Sequence, residues 1–176
     1  MNKQAYTIRN ATPHEFAEIG QLLVEVYAQL EGFPQPAEQP DYYAFLANIG
    51  DITQKPGAVL FVAQAEGEKR IAGTVVYVGD MRYYSPLGIA AGEQDGAGCR
   101  LLAVAPWAQG QGVGRQLTEE CISQAKKQQK AQLILHSTQA MQVAWKMYEA
   151  MGFKRAEELD FLQGNLPVFG FRLPLA

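Results

Sequence analysis

Leu101-Leu102-Ala103-Val104-Ala105-Pro106-Trp107-Ala108-Gln109-Gly110-Gln111-Gly112-Val113-Gly114-Arg115 is an apolar run, a proline stop and then three glycines at alternate positions. The run reads as a strand from Cys99 to Ala105 that Pro106 must end, because proline has no amide for a ladder. Beyond the glycines, Val113, Leu117, Cys121, Ile122 and Ala125 share one helical stripe, which predicts a helix from Gly112 to about Lys127. Lys126, Lys127 and Lys130 suit the negative end of its dipole. A strand that turns through glycines straight into a helix leaves several backbone N–H groups unpaired and converges them, with the positive helix end, on one spot, which is a geometry that binds phosphate. Glycine serves there because a side chain would hold phosphate oxygens off the amides, and because such turns use backbone angles closed to other residues. The same spacing also fits a plain tight connection. Two nucleotide patterns fail: counting from Gly110, the sixth position of a dinucleotide fingerprint is Arg115, and no Gly-Lys dipeptide exists for a P-loop.

Outward from this segment, Phe16, Ile19, Leu23, Val26, Tyr27 and Leu30 recur at three- and four-residue steps and predict a helix between Thr12 and Leu30. Thr12 is its N-cap, Pro13 its first residue, and Glu15 completes a capping box. Gly32, Pro34, Pro36 and Pro40 break the chain before a short helix over Asp41–Ile49. The β-branched runs Val59–Ala65 and Ile71–Val78, joined by Glu66–Arg70, predict an antiparallel hairpin. Gly88–Gly98, with four glycines, reads as a loop. Leu133–Thr138 is a buried strand. Gln139–Met151 is an amphipathic helix with Val143, Ala144, Met147, Tyr148 and Met151 inward and Gly152 as C-cap. Phe161–Leu162 and Val168–Leu173 form a closing hairpin around Gly164-Asn165.

The 176 residues fit one domain, 1–176, and 48% hydrophobic against 19% charged residues supply a core. Fifteen basic against eighteen acidic side chains, net charge -3, give no footprint for nucleic acid or an anionic membrane. The longest apolar stretch, Ala58–Ala63, is far short of the roughly 20 residues of a membrane helix, and the start Met1-Asn2-Lys3-Gln4 is no signal peptide, so a cytoplasmic protein is expected. Two cysteines, Cys99 and Cys121, and two histidines without metal-ligand spacing point to neither a disulfide framework nor a metal.

The glycine segment, from Gln109 to Gly114 after Val104-Ala105-Pro106, resembles the acyl-coenzyme A loop of the GNAT superfamily of N-acetyltransferases. Ala144-Trp145-Lys146-Met147-Tyr148-Glu149-Ala150-Met151-Gly152-Phe153 is similar to that family's Ala-x-x-x-Tyr-Glu-x-x-Gly-Phe helix, and the order of elements agrees from Tyr6 to Pro174. The resemblance implies an α/β fold whose mixed central sheet splays between strands Cys99–Ala105 and Leu133–Thr138, with helices on its flanks. Acetyl-CoA would be the co-substrate, with no metal. Its pantetheine would lie against Leu102, Ala103 and Val104, its pyrophosphate on the amides of Gln109, Gly110, Gln111, Gly112, Val113, Gly114 and Arg115. A strand N–H near Val104 would stabilise the oxyanion, and Tyr148, whose phenol holds its proton at neutral pH, would protonate the departing thiolate.

The sequence departs from the family twice. An asparagine common three residues before the helix alanine is Met141, leaving Ser137 or Thr138 to replace its contact. The strand Cys99–Ala105 lacks the glutamate that some members use as base, and the base stays unassigned among Glu31, Asp80, Glu93, Asp95 and a water chain; His136 and His14 read as packed and solvated. The family places the acceptor over the first two helices and the loop between the last strands. Here these offer Tyr27, Glu31, Phe33, Tyr42, Tyr43 and Phe169, with Tyr83 and Tyr84 nearby, an aromatic rim with a carboxylate that suits a small amine. The rings equally serve as core cover. The expected function is acetyl transfer to a primary amine of a small molecule by direct attack; the alternatives are a protein or peptide N-acetyltransferase and a catalytically weak acyl-CoA-binding regulator. A homodimer is allowed.

Overall fold

The computed structural model of the chain describes residues 4–175. Strands β2 (Ala58–Ala65) and β3 (Ile71–Val78) are the expected hairpin, paired antiparallel from Ala58↔Val78 to Gln64↔Ile71. Every residue of β3 is buried, so both its faces are covered, which is why its sequence is apolar without alternation. Strand β1 (Tyr6–Asn10) pairs antiparallel with β2, and β4 (Gly96–Val104) antiparallel with β3. Strand β5 (Gln132–Ser137) runs parallel to β4. The chain ends in β6 (Lys154–Arg155), β7 (Phe161–Gln163) and β8 (Leu166–Pro174), and β8 inserts between β5 and β6 to give the order β1-β2-β3-β4-β5-β8-β6, with β7 folded back on β8.

Helices α1 (Phe16–Ala28) and α2 (Pro40–Ala47) cover one face, packing Ile19, Leu23, Tyr27 and Leu46 on Val62, Val76 and Leu101. Helices α3 (Val113–Lys127) and α4 (Gln142–Ala150) cover the other, with Leu117, Cys121 and Tyr148 on Val75, Cys99 and Leu135. The capping box before α1 forms: the Glu15 carboxylate accepts the Thr12 N–H at 3.3 Å and also pairs with Arg9 at 2.7 Å.

Four local features depart from the sequence expectations. Strand β1 was not anticipated. A second 3-10 segment, Ile49–Gln54, follows α2. Strand β4 begins at Gly96 rather than Cys99, because its glycines serve a close approach and not a turn: a Cβ on Gly98 would sit 2.3 Å from the Tyr84 ring. Val143 points to solvent, 88% exposed, since Gln139–Met141 forms a 3-10 turn whose different pitch shifts the phase of the stripe.

The sheet is not continuous. Strands β4 and β5 pair only from Gly96↔Gln132 to Cys99↔Leu135. Beyond that, Arg100–Val104 bond to β3 alone, and His136 and Ser137 to β8 alone. A bulge accompanies the parting: Val76 faces Arg100 but Thr74 faces Ala103, so Leu101 and Leu102 oppose Val75, and Leu101 takes a positive φ of 59°. An extra residue in one strand bends it and re-aims its groups, here away from β5.

Helices α1 and α2 meet at Gly20, where a Cβ would lie 2.1 Å from the Ala47 carbonyl oxygen. Backbone cannot yield as a side chain would. Gly20→Ala should therefore cost about 1–3 kcal/mol in urea unfolding despite its better helix propensity, whereas Gly92→Ala, with open space around it, should be neutral.

Candidate active site

After a 3-10 turn over Pro106–Ala108, the loop to α3 is held by its own glutamines. Gln109 donates from Nε2 to the Val104 carbonyl at 3.4 Å, Gln111 donates to the Trp107 carbonyl at 3.2 Å, and the Tyr6 phenol donates to Gln111 Oε1. Gly110 and Gly112 have φ of 75° and 84°, and Gly112 caps α3. Gly114 differs: it is helical, and a Cβ there would make ordinary contacts at 3.6 Å with Leu102, Val104 and Met147. Among the described residues, no protein group accepts from the amides of residues 110–115, and the first amide of the helix to be satisfied is that of Gln116, by Gly112 at 3.0 Å. Arg115 stands at the exit, paired with Glu119 at 3.0 Å.

The loop opens onto the gap between β4 and β5. On the β5 side, Ser137 Oγ and Thr138 Oγ1 are buried with no hydrogen-bond partner among the described residues, an arrangement that costs roughly 1–3 kcal/mol per group unless a ligand or water satisfies it. On the β4 side, the Leu102 carbonyl accepts the Tyr27 phenol at 3.3 Å. Ala103 is buried, and Val104 is half-buried beside Gly114. Tyr148 on α4 is 5% exposed, packs edge-on against Phe153 at 5.6 Å, and has no protein partner for its hydroxyl among the described residues. Burial first, then Cys99, Tyr27, Cys121 and Tyr84 nearby, push its pKa well above the ordinary 10.0. Tyr148 belongs to the core under α3 and α4, whereas Tyr27 and Tyr84 belong to the opposite core.

On the α1–α2 side lies a cavity of about 1170 Å³, walled by Phe33 to Phe45, the segment Ser85–Leu87, Arg100 and the β7–β8 hairpin. Phe33 lines it, and Tyr27 stands behind Phe33 and Tyr42 at 5.4 and 6.4 Å between ring centres. Burial pushes the Tyr42 phenol up to about 12. Tyr43 fastens the loop, donating to the Pro34 carbonyl at 2.6 Å. Glu31 is exposed and outside this lining; Glu38 and Asp41 are the carboxylates within it. Tyr83 lies under the Arg82 guanidinium, and Phe169 stacks on Trp145, both away from the cavity. Asp80 pairs with Arg82, Glu93 with Arg172, and Asp95 binds Gln132. Met141 packs into the α1–α2 core.

His136, which the sequence reads as packed, meets Tyr84, which the sequence reading puts at the acceptor rim. His136 must donate from Nε2 to the Leu159 carbonyl at 2.8 Å, so its Nδ1 accepts, and the Tyr84 phenol donates to it at 2.8 Å. The Tyr84 carbonyl in turn accepts from Arg100 Nη1. No spacing signals this relay, because its members come from three separate segments.

The sequence model of the Acetyltransferase (GNAT) family matches residues 19–153. The chain belongs to that family. Solved structures similar to this GNAT acetyltransferase include an acetyltransferase of the GNAT family from Staphylococcus aureus Mu50, at 16% identity, TM-score 0.74, over 98% of this chain and 100% of that one. Salmonella typhimurium yncA, solved with its cofactor acetyl-CoA, has 19% identity and TM-score 0.67 over 98% and 95%. A ribosomal-protein-alanine N-acetyltransferase from Brucella melitensis has 18% identity and TM-score 0.67 over 96% and 99%. These likenesses concern the fold. No curated protein matches the chain. Among the described residues of this GNAT protein, no helix is long and apolar enough to cross a membrane.

Burial holds the His136 pKa below the ordinary 6.5, with Arg100 and Arg155 adding to the effect and Leu159 and Asp160 opposing it. Below 6.5 the unfolded chain takes up a proton that the folded chain refuses, so this contribution to stability is whole above 6.5 and falls as the pH drops toward the folded value. Urea midpoints between about pH 7.5 and about pH 5 should show that fall. His136→Gln, which can bond both Tyr84 and Leu159, should remove it.

Proposed function

We propose that this GNAT protein transfers the acetyl group of acetyl-CoA to the primary amine of a small molecule held in the cavity beside α1 and α2. The observation that carries the small-molecule reading is a pair of hydrogen bonds that bridges two walls of that cavity. Gln163 on β7 donates to Gln39 Oε1 at 2.6 Å, and Gln39 donates to the Gln163 carbonyl at 3.3 Å, so the segment before α2 and the β7–β8 hairpin are tied together across it. A peptide needs a groove open at both ends. The shared sheet beneath both cores supports reading residues 1–176 as one domain.

The residues suit acetyl-CoA: the amides of residues 110–115 have no protein acceptor among the described residues and are offered to the pyrophosphate, and the hydroxyls of Ser137 and Thr138 are likewise without partners. Bound there, acetyl-CoA supplies an activated thioester whose C–S bond breaks as the acetyl carbon bonds to the amine nitrogen. The free edge of Arg100–Val104 presents alternate N–H groups to the gap, where one stabilises a developing oxyanion. Tyr148, held protonated by its raised pKa, keeps a proton at its hydroxyl for the departing sulfur. The neutral amine nitrogen loses one proton as the new bond forms, which balances the one gained by the thiol; an amine that enters as ammonium first releases another to water.

Gly112→Val should strain a φ of 84° and fill the phosphate cradle, weakening acetyl-CoA binding in calorimetry by about 2–3 kcal/mol. Unchanged affinity in a folded variant would remove the loop assignment. Tyr148→Phe should leave acetyl-CoA affinity intact and lower turnover about 10²-fold, read as thiol release under conditions where chemistry is rate-limiting. Wild-type turnover would return Tyr148 to a packing role. Acetylation of peptides alone, with no small amine accepted, would overturn the small-molecule reading in favour of a protein substrate.

A further inference from the structure

The chain has seven arginines. Six pair with a carboxylate at 2.6–3.0 Å. Among the described residues Arg100 alone does not, although it is half-buried and lines the floor of the cavity. A guanidinium removed from water without a counter-charge is costly, so a retained one marks a place where a ligand supplies the charge.

Its surroundings fix its direction. Nη1 donates to the Tyr84 carbonyl, and the guanidinium lies 5.4 Å from the Phe45 ring centre and 5.6 Å from that of Tyr84. Tyr84 is itself held by the His136 relay. With Nη1 engaged, the Nε–H and Nη2–H edge has no protein acceptor among the described residues, and its two parallel donors match the two oxygens of one carboxylate. Arg100 is also the last residue before the bulge at Leu101, where β4 turns its free edge toward the acetyl position. An anion on Arg100 therefore lies close to the attacking nitrogen. Phe33, Tyr42, Phe45, Phe161 and Leu166 give the wall an apolar stretch for a side chain, and Glu38 and Asp41 in the same lining offer negative charge to the ammonium form of the amine.

We infer that Arg100 is the carboxylate-binding residue of the acceptor site and that the acceptor is an α-amino acid, whose amine and carboxylate are carried by one carbon. The inference rests on the small-molecule reading above and adds the charge of the molecule. Arg100 fixes the carboxylate with two charge-assisted hydrogen bonds, and the amine swings toward β4 and Tyr148.

The test compares L-phenylalanine and L-leucine with their carboxamides and with the corresponding decarboxylated amines, as kcat/KM for acetyl transfer and as binding by calorimetry. The free acids are expected to be favoured at least tenfold over both neutral series. Arg100→Met, matched in length and uncharged, should bring that ratio to near one, and Arg100→Lys, which keeps the charge but loses the fork, should leave it intermediate. Thermal unfolding checks that both variants fold, and the wild-type ratio decides the question even if one does not. If the wild type used neutral amines as well as acids, or preferred them, the carboxylate assignment would fall while the small-molecule reading stood. If only peptides were acetylated, both would fall.

Discussion

Two parallel strands, β4 and β5, hydrogen-bond over four paired residues and then part. Everything the site does follows from that interruption. A parallel pair that stayed in register would bury its backbone groups against each other and leave no edge for a ligand. Here the bulge at Leu101 bends β4 away, and β5 turns its remaining residues to β8. In the proposed function the freed edge of β4, the amides of the loop and the phenol of Tyr148 serve one ligand.

In the proposed reaction the same strand serves both reactants. Residues Arg100 to Val104 form the floor of the cavity at one end and the wall of the loop at the other, with Val104 reached by Gln109 and Arg100 by the aromatic cluster of α2. Positioning of acceptor and donor is thereby tied to a single bent segment anchored on β3, a strand buried on both faces. Catalytic geometry is set by strand backbone, which packing holds, rather than by mobile loops.

What could be read from the chain beforehand was whatever local chemistry dictates. The glycine loop, the capping box at Thr12, the β2–β3 hairpin and the phase of α3 each depend on residues within a dozen positions, so composition and spacing disclose them. Strand β1 escapes a sequence reading because five residues, three of them polar, carry little signal. The glycines at the start of β4 read as part of a loop because glycine spacing does not distinguish conformational freedom from the room that the Tyr84 ring needs. Arg100 was invisible for a different reason: an arginine in a strand reads as a surface cation until its neighbours are known. Glu31 and Glu38 are alike in sequence, and only the path of the chain puts one in the cavity lining and leaves the other out.

Tyr6 and Gln111 are bonded across 105 positions of chain. Such a tie closes a large ring, and its entropic cost is met only once the sheet between them is assembled. The glycine loop is thus tied to the outermost strand of the sheet. Because Tyr6 also belongs to the core under α3 and α4, fraying of that edge would loosen core and loop together, so the loop's order reports on whether the far edge of the sheet is seated.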